Sequence, residues 1–212
     1  MSTSYHHGNL PAVLREHAAA LLAEQGLATF SLREVARRAG VSHAAPAHHF
    51  GSVGGLLTAV AAEGFRLLAA ACTDALDAAG PDPDTRFSAI GHAYVSLWKT
   101  HPGHCQVMFR YDVIDFEEPE LRNRSTEAFT ILEATTRAVS EDIDDRTAHR
   151  SALLWWSTVH GLTQLETSFA TVSTELAGQP EPATTDELVE EFAAMVLHGI
   201  GQRRRSRQRR DP

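Results

Sequence analysis

The sequence is poor in the residues that build enzymes, metal centres and disulfide frameworks. It has two cysteines, Cys72 and Cys105, whose separation fits neither a zinc site nor a disulfide framework. It contains no phosphate-binding loop, no HExxH and no nucleophile motif. His101, His104 and Cys105 lie close together, but a metal site needs a further cluster of ligands. We therefore expect no enzyme, no metal site and no cofactor, and a buried apolar role for each thiol.

Long apolar runs are also missing. No stretch approaches the roughly 20 residues that span a bilayer, and the first ten residues lack the basic and apolar regions of a secretion signal. These absences favour a cytoplasmic protein with no membrane partner. Apolar residues do not alternate with period two over any useful length, so an all-α fold of about nine helices is expected.

The charge is divided unevenly along the chain. The net charge is −8, yet residues 1–66 carry five arginines against four glutamates. Residues 67–202 carry eight basic and 22 acidic side chains, and residues 203–212 carry six arginines and one aspartate. No acidic residue lies between Val35 and Ala62. One surface of the N-terminal region can therefore approach phosphates, because DNA binding needs charge of one sign.

The segment 31–50 predicts two short helices joined by a glycine turn. Ser31 stands three residues before Glu34, which is a capping box at a helix start. Gly40 suits the left-handed conformation at a helix end. Two helices in this arrangement form a helix-turn-helix, whose second helix enters the DNA major groove. Ordinary helical packing without DNA binding gives the same pattern, and the arginine-rich first helix favours the DNA interpretation.

The second short helix is expected over residues 43–50, with Ser42 as its cap. Pro46 is then the fourth residue of the helix and removes one intrahelical hydrogen bond. Further helices are expected at about 10–25, 52–76, 84–100, 103–110, 118–142, 146–170 and 185–202, with glycine and proline as breakers at Gly26, Gly80 to Pro83, Pro102-Gly103, Pro119 and Gly178 to Pro182.

Two groups of motifs resemble the TetR family of bacterial transcriptional regulators. Over residues 10–66 the resemblance rests on Ser31, Glu34-Val35-Ala36, Ala39-Gly40-Val41-Ser42 and His49-Phe50. Trp156 followed by His160-Gly161, and the N-terminal Tyr5 to Gly8, are similar to one subgroup with a WHG-type C-terminal domain. The resemblance implies a homodimer that binds double-stranded DNA and a small apolar or aromatic effector.

The expected domains follow from these motifs and breakers. Residues 1–52 form an N-terminal arm and a three-helix DNA-binding domain, and residues 53–80 form a long connecting helix. Residues 81–202 form the ligand-binding and dimerisation domain, and residues 203–212 form a basic disordered tail. The arm either contacts DNA or frays, and the tail either contacts DNA or acts as a solubilising end.

The DNA-binding candidates follow from motif position and charge, and the dimer-interface candidates from apolar spacing and the family arrangement. The effector-binding candidates are aromatic, sulfur-bearing or histidine residues, and their role as a pocket is what the resemblance implies. The DNA-binding candidates are Ser31, Arg33, Arg37, Ser42, His43, Ala44, Ala47, His48 and His49. The effector-binding candidates, each of which plain core packing also explains, are Tyr94, Trp98, Met108, Phe109, Phe129, Trp156 and His160. The dimer-interface candidates, which an intrachain face also explains, are Gly161, Leu188, Phe192, Met195 and Val196.

Two departures from the family pattern weaken the expected DNA contacts. Ala47 stands where the family usually has a tyrosine, and Val53 and Gly54 stand in place of a lysine-glutamate pair. The sequence therefore leaves two functions open. One is a ligand-responsive repressor that binds a pseudo-palindromic operator. The other is a dimeric small-molecule-binding protein of the same fold with weakened or lost DNA binding.

Overall fold

The computed structural model describes residues 9–140, 143–169 and 183–208, and all regular structure in these ranges is helical. The α-helices are α1 Leu10–Gln25, α2 Leu32–Arg38, α3 Ala45–Phe50, α4 Val53–Ala78, α5 Pro83–Thr100, α6 Pro102–Met108, α7 Pro119–Ala138, α8 Asp145–Phe169 and α9 Thr185–Gln208. A short 3-10 helix, Leu27–Thr29, follows α1. The expected all-α fold is confirmed. The motif Tyr5 to Gly8 lies outside the described residues.

Proline sets the start of five helices. A proline lies in the first turn of α1, α3, α5, α6 and α7. Its missing N–H is one that a helix start leaves without a partner in any case, and its fixed φ suits the helix. For this reason the starts expected for α5, α6 and α7 agree with the structure within one residue.

The helix α3 begins later than the sequence predicted. It starts at Ala45, with Ala44 as its N-cap and no capping side chain. Ser42 instead lies in the preceding turn, where its carbonyl accepts the Ala45 N–H at 3.0 Å. The predicted cap was wrong because the later start places Pro46 in the first turn, where it breaks no hydrogen bond.

The last helix extends further than the sequence predicted. α9 continues to Gln208, whereas we expected a helix ending at 202 and a disordered tail. This part of the arginine-rich tail is therefore helical. Arginine is a good helix former, and positive charge is favourable at a helix C-terminus. Residues 209–212 lie outside the described residues.

The described residues form two compact units. The first comprises Met1–Leu67 with Lys99–Glu127, and the second comprises Leu68–Trp98 with Ala128–Pro212. The first unit is thus discontinuous in sequence, since α6 joins α1, α2 and α3. The expected boundaries at residues 52 and 80 stay a prediction.

In the first unit, α1 and α6 pack with their backbones in contact. A Cβ atom built on Gly103 of α6 would lie only 1.9 Å from the carbonyl oxygen of Ala19 in α1. Only glycine permits this approach. Around it, Leu14, Leu21 and Leu22 of α1 are fully buried. α6 therefore covers the apolar side of the first helix.

In the second unit, the core forms around Trp155 of α8. Its indole stacks on Phe87 of α5, with ring centroids 5.0 Å apart. Gly91, one turn further along α5, leaves room for the indole, since a Cβ there would lie 2.4 Å from the ring. Val189 of α9 contacts the same position. The packing of α5, α8 and α9 against one another thus depends on the large indole of Trp155 and on the absence of a side chain at Gly91.

The expectation that no stretch approaches the length and composition of a membrane span was wrong for one described helix, α4, which has both. Most of that apolar stretch, 61%, is buried inside the protein. A core helix of a soluble protein has the same composition.

Candidate DNA-binding surface and aromatic cluster

The start of α2 is fixed by the predicted serine cap. Ser31 has an extended backbone, and its Oγ accepts the Glu34 N–H at 3.3 Å. Val35 and Ala36 are fully buried and hold α2 against the core. Gly40, at φ 66°, then turns the chain toward α3. The opposite side of α2 is left facing outward.

The Glu34 carboxylate pairs with two arginines of its own helix. It accepts hydrogen bonds from Arg37 at 2.7 and 2.8 Å and from Arg38 at 3.1 Å. Arg38 also forms a two-bond pair with Glu24 of α1. Hydrogen bonds from Arg37, and then from Arg38, lower the pKa of Glu34 to about 2. Much of the positive charge that the sequence counted on this helix is therefore neutralised locally.

Arg33 differs from these two arginines. It is exposed and takes part in none of the ion pairs among the described residues. Arg37 is also exposed, with 67% of its side chain accessible, but it is held by Glu34. Of the two predicted phosphate-binding arginines, Arg33 is thus the one whose guanidinium has no internal carboxylate.

The remaining DNA-binding candidates lie on one exposed segment. They are Ser42, His43, Ala44, Ala47, His48 and His49, and all six are exposed. The first three occupy the turn before α3 and the last three lie on the helix itself. The rings of His48 and His49 contact each other edge to face, with centroids 5.4 Å apart. Pro46 is the buried residue that anchors α3 to the core.

The first turn of α4 contacts the segment that links α6 to α7. The Thr58 hydroxyl donates to the Gly54 carbonyl at 2.7 Å and accepts the Asp115 N–H at 3.0 Å. A Cβ atom on Gly54 would lie 3.3 Å from the Val113 carbonyl oxygen. The departure from the family pattern at position 54 thus has a structural counterpart, because the Val113 backbone lies close to the space that a side chain would need.

This contact, which sequence reasoning missed, borders a cavity in the first unit. The cavity has a volume of about 580 Å³ and is lined by residues of α1, α3, α4 and the segment between α6 and α7, among them Arg15, His49, Ser52, Thr58 and Asp115. The glycine pair Gly54-Gly55 in a helical first turn was the available signal, since glycine disfavours helix and marks a close approach.

Five of the seven effector-binding candidates form one aromatic cluster in the second unit. The Tyr94 hydroxyl lies 2.7 Å from Nδ1 of His160. The rings of Trp98 and Trp156 are 5.8 and 6.3 Å from the His160 ring. Phe129 contacts Trp156 at 6.4 Å. The structure thus brings together side chains from α5, α7 and α8.

The other two effector candidates belong to the first unit. Met108 is buried beside Gly64 of α4, where a Cβ would lie 2.7 Å from its sulfur. Phe109 packs edge-on against Phe65, with ring centroids 5.4 Å apart. Both fill the space between α4 and α6 in that unit.

His160 is the polar centre of the aromatic cluster. Burial lowers the pKa of its imidazole, so the ring is neutral near pH 7. A neutral imidazole has one donor and one acceptor nitrogen, and the Tyr94 hydroxyl occupies Nδ1. The two interpretations of His160, as a core histidine or as the polar group of a cavity, both accommodate this geometry.

The helices α8 and α9 present apolar side chains to the exterior of the chain. Leu154, Leu165 and Met195 are 56%, 53% and 64% exposed. A Cβ on Gly161, midway between the two leucines, would have no atom within 4 Å. The candidates Leu188, Phe192 and Val196 are half-buried on α9, whose inner side holds the buried residues Val189, Ala193 and Ile200.

In the cluster of histidine and cysteine around α6, Cys105 is buried, and His101 and His104 are half-buried. Burial lowers the pKa of His104 to about 4 and raises the pKa of the Cys105 thiol to about 12. Cys72 is also buried, with its pKa raised to about 12 for the same reason. Over the described ranges, no group of three His, Cys, Asp or Glu side chains is placed to hold a metal ion. These thiols are unreactive at neutral pH because they stay protonated.

Comparisons with known proteins agree with this architecture. Residues 14–60 match the family model for bacterial regulatory proteins of the tetR family, and residues 87–196 match the tetracyclin repressor-like C-terminal domain. None of the functionally curated proteins matches the chain. The chain belongs to the TetR family of bacterial transcriptional regulators, whose members are DNA-binding proteins.

Solved structures show the same fold. A protein of unknown function from Rhodococcus sp. RHA1 is 30% identical, with a TM-score of 0.74 over 93% of this chain and 98% of that chain. The TetR family regulator PfmR from Thermus thermophilus is 19% identical, with a TM-score of 0.62 over 87% and 97%. A TetR-family regulator from Bordetella parapertussis 12822 is 20% identical, with a TM-score of 0.63 over 90% and 95%.

Proposed function

We propose that this protein is a homodimeric repressor that binds a pseudo-palindromic operator and is released by a small apolar or aromatic effector. The observation that carries the proposal is the exposed surface formed by α2 and α3, hereafter the α2–α3 surface. It comprises the exposed residues Arg33, Arg37, Ser42, His43, Ala44, Ala47, His48 and His49, together with Ser31, which is half-buried. Small side chains on α3 let its backbone approach a groove, and no carboxylate lies on that helix.

A dimer supplies the second recognition helix. The exposed apolar residues Leu154 and Leu165 of α8 and Met195 of α9 form a face that a single chain leaves in water. The open position at Gly161 allows another helix to approach closely. With Leu188, Phe192 and Val196 these residues form the proposed interface. We expect Met195→Asp to yield monomers in light scattering, whereas Glu191→Gln on the same helix should remain dimeric.

The aromatic cluster around His160 is the proposed effector site. Apolar walls with few polar groups are the usual composition of small-molecule sites in proteins. Tyr94, Trp98, Phe129 and Trp156 supply the walls, and the imidazole of His160 is the polar group among them. The role of Met108 and Phe109 is proposed to be indirect, since they pack on α4 in the unit that holds the α2–α3 surface.

The rival function is a dimeric small-molecule-binding protein that no longer recognises a specific DNA sequence. Ala47 and Val53 favour this rival, since the side chains that usually bind phosphates are absent there. At the neighbouring Gly54, the Val113 carbonyl oxygen lies 3.3 Å from the position of a Cβ. In this chain the start of α4 therefore contacts the segment between α6 and α7.

Selection from random-sequence duplexes at low salt separates the two functions. Enrichment of an inverted repeat by the folded dimer supports the repressor, and its spacing gives the half-site geometry. Failure to enrich any sequence supports the rival. On the selected duplex, Arg33→Gln should reduce the salt dependence by roughly 0.9 units of slope. Arg37→Gln is the matched variant and should reduce it less, because Glu34 already pairs with that arginine.

A further inference from the structure

We propose that DNA binding by the α2–α3 surface is coupled to proton uptake, with imidazoles supplying the charge that meets the phosphates. The proposal rests on the proposed function and adds a form of regulation to the same site. Affinity for the operator should rise as the pH falls through the range in which histidine becomes charged, roughly pH 8 to pH 5.

The α2–α3 surface carries little permanent positive charge. α3 and the turn before it contain no arginine and no lysine, and the single lysine of the chain, Lys99, lies on α5. On α2, Arg37 and Arg38 are paired with carboxylates. Arg33 is therefore the one permanent cation of the α2–α3 surface without a carboxylate partner among the described residues. A single cation gives a weak phosphate interaction.

Histidine is concentrated on the α2–α3 surface. Three exposed imidazoles, His43, His48 and His49, lie within seven residues of one another. His48 and His49 are in ring contact at 5.4 Å. Full protonation would change the positive charge available to phosphates from one to four. Adjacent imidazolium ions repel each other in the free protein, and phosphates remove that repulsion.

Charged side chains from other elements also lie around these imidazoles. Arg33 and Arg37 of α2 belong to the same surface and are exposed. The cavity lined by His49 is also lined by Arg15 of α1 and by carboxylates of the segment between α6 and α7. These carboxylates are Asp115 and Glu118, and Glu120 of α7 lines the same cavity. DNA phosphates would therefore not be the first anions near His49.

Proton uptake should therefore depend most on His43 and His48. Among the described residues neither makes an ion pair with a carboxylate, so DNA phosphates would be the first anions to reach them. An anion beside an imidazole favours its charged form. The complex then holds more protons than the free partners, and affinity decreases as pH increases. Each proton taken up contributes about a tenfold change in affinity for one unit of pKa difference between the free and bound states.

The experiment measures affinity for a selected duplex of about 30 base pairs, long enough for two half-sites one helical turn apart. Fluorescence anisotropy at about pH 8 and about pH 6, each over a salt series, gives affinity and salt slope. The variants are His43→Gln/His48→Gln, which removes both titrating rings, and His48→Arg, which is always charged. His198→Gln replaces an exposed histidine of α9 and is the control.

We expect wild-type affinity to rise about tenfold or more at the lower pH, with a salt slope steeper by about 0.9 for each charged ring. The double glutamine variant should bind with nearly the same weak affinity at both pH values, and His48→Arg should bind tightly even at the higher pH. The control should behave as the wild type.

Three results would overturn the proposal. The first is saturable wild-type binding of equal affinity at both pH values. The second is an unchanged pH dependence in the double glutamine variant. The third is an equal loss of affinity at both pH values in that variant, which would mean that the rings act as neutral hydrogen-bonding groups. Absence of saturable binding at any pH refutes the repressor function itself, and this inference with it.

Discussion

Replacing Thr58 by valine tests whether the segment between α6 and α7 is tied to the start of α4. Valine has nearly the same shape, but it can neither accept the Asp115 N–H nor donate to the Gly54 carbonyl. That carbonyl keeps the N–H of residue 58 as its helical partner. The loss therefore falls mainly on the Asp115 bond, which is donated to a side chain that is only 2% exposed.

The magnitude follows from the surroundings of the two partners. A hydrogen bond of this kind contributes about 0.5–1.5 kcal/mol, and a buried group left without a partner costs more. Asp115 is exposed, so water can replace part of what its N–H loses. We expect Thr58→Val to lower the free energy of unfolding by about 1 kcal/mol, equivalent to about 2–4 °C in Tm for a chain of this size.

Thr136→Val in α7 is the matched control. Thr136 is 0% exposed, and its hydroxyl donates to the Leu132 carbonyl four residues earlier at 2.8 Å. It thus repeats the burial and the intrahelical bond of Thr58 without the bond to a separate segment. Urea unfolding at one fixed protein concentration compares the variants, since the stability of a dimer depends on concentration. Equal changes in the two variants would refute the tie between α4 and the segment.

Three further predictions concern the packing of single residues. Burial lowers the pKa of His104 to about 4, below the ordinary value of about 6.5, so stability should be full above about pH 6.5 and decrease toward pH 4. In thermal unfolding at several pH values, His104→Gln should make this decrease smaller. Gly103→Ala places a Cβ 1.9 Å from a backbone oxygen of α1 and should cost about 1–3 kcal/mol in urea unfolding. Gly64→Ala meets a flexible methionine side chain instead, so an equal loss would contradict the backbone explanation. Tyr94→Phe and His160→Leu should show a coupling energy of about 0.5–1.5 kcal/mol in a double-mutant cycle, and additive losses would contradict the bond between them.

Helix positions were predictable from the sequence because their signals are local. A serine cap, a glycine exit or a proline in the first turn acts within four residues, as Ser31 and Pro102 illustrate. The start of α3 was predicted wrongly because two local signals competed. Ser42 offered a cap, and Pro46 favoured a start two residues later.

Contacts between distant segments were not predictable in the same way. Gly54 and Gly103 each lie close to the backbone of a residue about 60 or 80 positions away in the chain. A single sequence does not identify that distant residue. The aromatic residues illustrate the same limit. Aromatic character and the family resemblance made Phe109 and Trp156 candidates for one cavity, but neither says to which compact unit each of them belongs.

The discontinuity of the first unit has a consequence for building hybrid regulators. A chimera that takes only residues 1–66 from this protein would keep α1 and discard α6, whose Gly103 meets the Ala19 backbone. The other parent protein would then have to supply a helix with a glycine at the position that contacts the Ala19 backbone. Without such a helix, Leu14 and Leu21 would become exposed to water. Crossover points should therefore be chosen in pairs, so that residues 99–127 are exchanged together with residues 1–67. Such an exchange transfers α2 and α3 together with α1 and α6.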